Sequence, residues 1–475
     1  MSKGEKYDVV IIGAGIGGLV CGCYLAKAGL KVLIVEKNDK PGGYCSSFER
    51  DGYRFDVGVI GLENCHRKNI IGRIMEDLNL NKYITMRRMN PGDVVLLPRH
   101  KICIWNNINQ TIEEFIKNFP TESNRIKEFF AFLKKASYHE LYKKFKSYTL
   151  KKVLDEYFKN EELKCVFKVI SALLGQYSSV ASALPSFLMY KGFFFDGGYY
   201  PQGGMQNFAE GLAECFIEYG GEIMLSSKVK KIIIKNKIAK GIILENKKMI
   251  NSKFIVAACD ARQVFLKMME RENIPNRLIN KIYRLLPTLS PFMIFLKMKR
   301  KLQLEYIAKY WCSLTYDTDK SFEELYKGKK ILLEDLVAIA VPSSYGRKNS
   351  FSYKKKEGVC ILTYARYMNK KFWKENKKKL AKKIVERCKP IIGNVYDNEV
   401  EIATPFTYYR FTLNYHGAAC GWLYTPRHIT NHIFLTSRTP VKNLFLAGQW
   451  VFHGFGVTRV ALSGYHIAKI IINSD

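Results

Sequence analysis

The sequence predicts an α/β fold, and three observations carry that prediction. An apolar run of β character, Val9 to Ile12, feeds straight into Gly13-Ala14-Gly15-Ile16-Gly17-Gly18. A helical stretch from Leu19 to Ala28 follows, with Gly29 placed to cap it. A second apolar run, Lys31 to Val35, then ends on Glu36. Strand, helix and strand in this order form a βαβ unit with the glycine spacing of a dinucleotide fingerprint. The chain's 475 residues, 47% hydrophobic and 25% charged, are enough for two sub-domains with sizeable cores.

Each residue type in the unit has a physical task. Gly13 permits the tight turn out of the strand, and Gly15 lets a pyrophosphate approach the backbone. Gly18 lets the helix pack closely on the strand, while the first helical N–H groups face the phosphates with the positive end of the helix dipole. Glu36 ends the second strand, where a carboxylate accepts from both ribose hydroxyls and repels a 2′-phosphate. The site therefore suits FAD or NAD and disfavours NADP. A glycine-rich turn without a nucleotide would need neither the second strand nor the acid.

The next segment separates FAD from NAD. Pro41-Gly42-Gly43, Ser46, Ser47, Arg50, Asp51-Gly52 and Phe55-Asp56-Val57-Gly58 resemble the extended signature of the flavin amine oxidase and phytoene desaturase superfamily. The closing block, Asn443-Leu444-Phe445-Leu446-Ala447-Gly448-Gln449-Trp450 with residues 454–471 after it, resembles the same superfamily. The resemblance implies a Rossmann-like FAD-binding domain of the p-hydroxybenzoate hydroxylase-like type, with an inserted α+β substrate domain and a helical lid. It assigns residues 1–85, 200–265 and 421–475 to the FAD-binding domain. Residues 86–199 and 266–420 go to the substrate domain, with 116–199 mainly the lid. The FAD site it implies comprises Gly13, Ala14, Gly15, Gly17, Gly18, Glu36, Lys37, Gly42, Gly43, Tyr44, Val229, Gly448, Gly456 and Val457.

Between the two ends, most elements are read from periodicity. Gly72 to Leu80 reads as a helix, and Lys82 to Trp105 as strand broken by Pro91-Gly92 and Pro98. Ile112, Phe115, Ile116 and Phe119, then Ile126, Phe129, Phe130 and Leu133, recur at helical spacing, with Pro120-Thr121-Glu122 as a restart. Tyr138 to Phe158 continues the pattern, and Leu163 to Leu174 is a further helix. The turn Tyr200-Pro201-Gln202-Gly203-Gly204 and the helix Met205 to Tyr219 resemble the passage from lid to cofactor domain in the phytoene desaturase and carotenoid isomerase family. Phe193, Phe194, Phe195 and Tyr199 precede that turn and read equally as cavity lining or core. Ser226 to Lys235 and Gly241 to Leu244 form a hairpin, and Lys253 to Cys259 is a strand. Pro287 to Met298, Ile331 to Val341 and Gly358 to Tyr364 are strands, and Phe372 to Lys389 is a lysine-rich helix. The alternating aromatics from Phe406 to Phe411 read as the floor of a substrate site. Glu63, Cys65 and His66 read as a solvated loop or as the rim of the reactive site.

The net charge of +33 comes from 76 basic against 43 acidic residues. The lysines are spread along the chain without a nucleic-acid module, which excludes nucleic acid as the main partner. They read as solvated faces or as attraction to anionic lipid head groups, about 1 kcal/mol for each nearby Lys or Arg. Residues 9–26 carry no charge, but their glycines and the fingerprint argue against a span or signal. The twelve scattered cysteines contain no CxxC, which fits reduced thiols and neither disulfides nor a metal site. The expected location is cytoplasmic, peripheral on the inner face of the membrane.

Within the superfamily, the Tyr-Pro-x-Gly-Gly passage and the Leu-Ala-Gly-x-Trp closing motif look most like the carotenoid isomerase and retinol saturase branch. The resemblance implies flavin redox chemistry on the carbon-carbon double bonds of a long apolar polyene, isoprenoid or unsaturated lipid chain, as desaturation, saturation or cis-trans isomerisation. The bacterial desaturase ending is not matched, because Val457-Thr458-Arg459 stands where a proline-glycine pair is expected. His453 and Arg410 are the candidates for a catalytic proton relay. A second GxGxxG unit is absent from the sequence, so a quinone, oxygen or a separate donor is expected to exchange the electrons. The competing readings are an amine or porphyrinogen oxidase, and a non-catalytic lipid-binding relative resembling GDP dissociation inhibitors.

Overall fold

The computed structural model describes residues 6–299, 302, 304–345, 357–393, 400–452 and 454–474. Two seven-stranded sheets organise them. The first runs Val229–Lys235, Ile238–Leu244, Met249–Ala257, Lys6–Ile12, Val32–Val35 and Glu222–Met224, with Leu444–Leu446 paired to Met249–Ala257. Its central strands are parallel: Val9 lies opposite Val32 on one side and Phe254 on the other. Val9, Val10 and Ile11 are fully buried, as expected of parallel strands covered on both faces. The Ile16–Lys27 helix packs between this sheet and the last helix, Gly456–Ile472.

The second sheet runs Val400–Ala403, Ser290–Met298, Glu357–Ala365, Leu336–Ala340, Lys309–Ser313, Asp93–Leu96 and Lys101–Ile104. It is antiparallel except where Lys309–Ser313 lies parallel to Asp93–Leu96. The long Lys370–Ile392 helix buries Trp373, Ala381, Ile384 and Cys388 and turns its lysines outward. Helices between Ile108 and Phe195 form the layer expected as a lid. Its core is aromatic, with Phe129 ringed by Phe130, Tyr157, Phe158, Phe167 and Phe187 at centroid distances of 4.8–5.7 Å. Among the described residues no helix is long and apolar enough to cross a membrane.

The structure departs from the sequence-based elements in two places and adds two elements the sequence did not signal. The strand expected over Ile331 to Val341 is confined to Leu336–Ala340. The Phe406 to Phe411 aromatics lie on a helix, Pro405–Thr412, because Thr404 and Thr407 form a reciprocal capping box and Pro405 opens the first turn. Lys309–Ser313 and the Thr318–Tyr326 helix lie in a stretch whose periodicity gave no signal.

Candidate functional site

One cavity of about 730 Å³ runs between the two sheets. The glycine loop forms its first wall. Gly13, at φ +104°, closes the turn and donates its N–H to Val35 at 2.8 Å. A Cβ on Gly18 would lie 2.1 Å from the Gly13 carbonyl, so only glycine lets the helix sit this close. A Cβ on Gly15 would meet nothing within 4 Å, because that position opens on the cavity. Gly15 caps the helix with no side-chain hydrogen bond, leaving its first N–H groups toward the cavity. Gly42 donates to the Ala14 carbonyl at 2.8 Å, which holds the glycine pair beside the loop.

Glu36 is buried at the end of its strand. Its carboxylate accepts from the Ala14 N–H at 2.9 Å and from the Asn38 N–H at 2.9 Å. Lys37 donates to Asn38 Oδ1 at 2.9 Å and to the Arg410 carbonyl at 3.3 Å, and burial lowers its pKa. Val229 is buried beside Ser227 and Lys228 on the same side of the cavity. Tyr44 donates to the Gly417 carbonyl at 2.9 Å, tying the glycine pair to the far lobe.

Gly448, at φ +93°, lines the cavity beside the glycine loop, where a Cβ on Gly17 would lie 3.2 Å from the Gly448 Cα, and Ser463 Oγ accepts its N–H at 2.8 Å. A Cβ on Gly448 would again meet nothing within 4 Å. The Gly456–Ile472 helix starts at the cavity with no side-chain cap, and Gly456 and Val457 both line it. Two uncapped helix N-termini and open glycine backbones thus face one space. That donor set fits the pyrophosphate and the polar ring edge of FAD.

Asp56 holds this arrangement from behind. It is buried and accepts from Ser47 Oγ at 2.6 Å, Tyr200 OH at 2.5 Å and the Met205 N–H at 3.2 Å. Asp260 caps the following helix and accepts from the N–H groups of Arg262, Gln263 and Tyr415. Burial nevertheless raises its pKa to about 6.

The inner end is apolar, lined by Leu174, Leu188, Met189, Phe193, Trp311 and Leu362. Phe193 faces the cavity, whereas Phe194 belongs to the aromatic core through Phe115, Phe130 and Phe167. A small charged group interrupts this surface. Lys309 Nζ lies 3.1 Å from buried Asp93, which also accepts from Trp311 Nε1 at 2.7 Å. Glu63 lines the cavity and accepts from Thr458 Oγ1 at 3.1 Å, and burial raises its carboxyl pKa. Glu63 is thus part of the cavity wall, while His66 is exposed. Lys309 and Asp93 escaped sequence reading because their partnership is a parallel-strand register between distant segments. Gly61 is the one local hint: a Cβ there would lie 2.8 Å from Lys309 Nζ.

Arg410 corrects an expectation. It is exposed beside Lys37 at the Glu36 end, among groups suited to ribose and phosphate, so it stands badly for a proton relay at the apolar end. His453 lies outside the described residues. Tyr408 is the buried aromatic of its helix, and its OH donates to the Val57 carbonyl at 2.5 Å.

A fold of this type with this glycine-walled cavity defines a flavin-binding class. The model of the family described as flavin containing amine oxidoreductase matches residues 16–472, and the chain belongs to that family. It is a flavin oxidoreductase by that membership. It is similar to an all-trans-retinol 13,14-reductase of Danio rerio, 24% identical over 94% of this chain and 82% of that protein. It is also similar to a chloroplastic prolycopene isomerase of Daucus carota, 25% identical over 98% of this chain and 80% of that protein. Among solved structures, an oxidoreductase from Methanosarcina mazei superposes with a TM-score of 0.71 at 16% identity, covering 98% of this chain and all of that one. Putrescine oxidase bound to putrescine superposes at 0.64 with 15% identity, covering 98% and 99%.

Proposed function

We propose that this protein is an FAD-dependent oxidoreductase acting on the carbon-carbon double bonds of a long apolar polyene, isoprenoid or unsaturated lipid chain. The observation that carries the reading is the single cavity that joins the glycine-walled end to an apolar inner end. The names of the sequence relatives support it. FAD, when bound, supplies hydride acceptance from an allylic carbon or hydride donation to a double bond.

The chain's own residues do the rest. The glycine loop, Glu36 and Val229 hold the nucleotide half, and Gly42, Gly43, Tyr44, Gly448, Gly456 and Val457 hold the ring half. In this reading residues 1–85, 200–265 and 421–475 form the cofactor domain, and the other segments form the substrate domain and lid. Leu174, Leu188, Met189 and Phe193 align an apolar chain and exclude water. The Glu63 carboxyl, its pKa raised by burial, is the group able to hold a proton there, and Lys309 Nζ, kept in place by Asp93, supplies a fixed hydrogen-bond donor. A quinone, oxygen or a separate electron donor or acceptor exchanges the electrons.

Absorption spectra of purified protein test the reading before and after adding FAD and then dithionite. Bands near ~450 nm that bleach on reduction establish the flavin. Polyenes supplied anaerobically to the oxidised and reduced forms then show whether the chain is desaturated, saturated or isomerised. Protein that takes up no flavin under any condition would leave a lipid-binding relative of the fold.

A further inference from the structure

The departure at Val457-Thr458-Arg459 places an unusual group in the cavity. Arg459 lies one turn into the Gly456–Ile472 helix and lines the cavity beside Thr458. Helical side chains lean toward their own N-terminus, which here is the cavity end. The opposite face of this turn is taken by Val460, whose Cγ1 would lie 3.2 Å from a Cβ on Gly17.

Arg459 is only partly exposed, yet among the described residues its guanidinium has no hydrogen-bond partner and no carboxylate within ion-pair reach. The acids that line or back this part of the cavity, Asp93 and Glu63, have partners of their own. Asp93 holds Lys309 at 3.1 Å, and the Glu63 side chain accepts from Thr458. Burial lowers the Arg459 pKa, with Glu63 and Tyr138 acting on it from a distance. A largely covered cation with unmet donors carries a desolvation cost, which an arriving anion relieves. Leu188, Met189 and Phe193 line the same cavity.

We propose that Arg459 receives a carboxylate at the end of the substrate chain, so that the substrate is an unsaturated apolar chain bearing a terminal carboxylate. This rests on the reading above of the cavity as a site for unsaturated chains. The planar fork of a guanidinium matches a carboxylate with two parallel hydrogen bonds. At the inner end Lys309 is paired with Asp93, so Arg459 is the cation there that lacks an ion-pair partner among the described residues, which suits a single anion. A diphosphate would require more.

The test uses the FAD-loaded full chain and reads binding, not turnover. A conjugated polyene carboxylic acid, its methyl ester and an isoprenyl diphosphate are titrated while tryptophan fluorescence is followed, because Trp311 and Trp450 line the cavity. The acid is expected to bind at least about tenfold more tightly than the ester. Arg459→Gln should remove that advantage and leave the ester unchanged, and Arg459→Lys should keep part of it. Equal binding of acid and ester by the wild-type protein overturns the proposal, whether or not the variants fold. So does equal weakening of both by Arg459→Gln, or tighter binding of the diphosphate than of the acid. Binding of the ester without preference for the acid leaves the unsaturated-chain reading standing. Binding of none of the three removes both.

Discussion

Gly15 and Gly18 stand three residues apart and differ in what their missing side chains do. Gly15 faces open space, so Gly15→Ala should leave the melting temperature nearly unchanged while weakening FAD binding by about tenfold or more, measured by fluorescence titration. Gly18 touches the Gly13 carbonyl, so Gly18→Ala should destabilise by about 1–3 kcal/mol in urea unfolding whether or not FAD is present. Asp260 makes a prediction in pH. Its folded pKa is raised from 3.8 to about 6, so its carboxyl binds a proton more tightly in the folded state than in the unfolded one. The stability it contributes is therefore fully present below pH 3.8 and is lost as pH rises through about 6. Urea midpoints across that window should fall with pH, and Asp260→Asn should flatten the slope. A wild-type midpoint that instead rises steadily with pH, with the same slope in the variant, would refute this. The roles of these residues were visible in the sequence to different degrees. Gly15 and Gly18 announce themselves by spacing, whereas Asp260 acquires its pKa only by burial between segments that meet in the folded chain.

At the scale of elements, the helical layer between Ile108 and Phe195 is held by aromatic contacts more than by helix propensity. Phe129 is fully buried, and Phe129→Ala should cost about 3–5 kcal/mol. Hydrogen exchange should locate that loss in residues 108–195, while the Lys6–Ile12 and Val32–Val35 strands keep their protection. Uniform loss across both sheets would mean that the helical layer and the first sheet unfold as one unit. The helical period of these segments was plain in the sequence, because buried aromatics recur every three or four residues. The Pro405–Thr412 helix was not, because aromatics lie all around it: Tyr408 is buried while Phe411 is 50% exposed. Its capping threonines, Thr404 and Thr407, were the overlooked local signal.

For the whole molecule, the charge of +33 dominates. The Lys370–Ile392 helix turns Lys371, Lys374, Lys378 and Lys382 to solvent, while its buried face joins the second core. Some of the excess is answered by ion pairs, as where Arg387 meets Asp335 at 3.0 Å, but such exposed pairs contribute little. The protein should co-sediment with vesicles rich in anionic lipid at low salt and leave them at about 1 M salt, where the Debye length is about 3 Å. Equal sedimentation with neutral vesicles would assign any membrane contact to apolar side chains such as Tyr283 and Leu286, which are 61% and 53% exposed.

The glycine loop, its two strands and the buried acid after them were readable in the sequence because they are contiguous. Spacing, turn chemistry and hydrophobic period act within about thirty residues, the span of a βαβ unit, and leave a pattern there. Lys309 beside Asp93, Thr458 beside Glu63, and Arg459 left without a partner among the described residues were decided only by the tertiary structure. Each depends on which distant segments share a strand register or a cavity wall, and on the burial that removes water from them. No short stretch of sequence carries that information, since a buried lysine and a solvated one are the same letter until the chain closes around one of them.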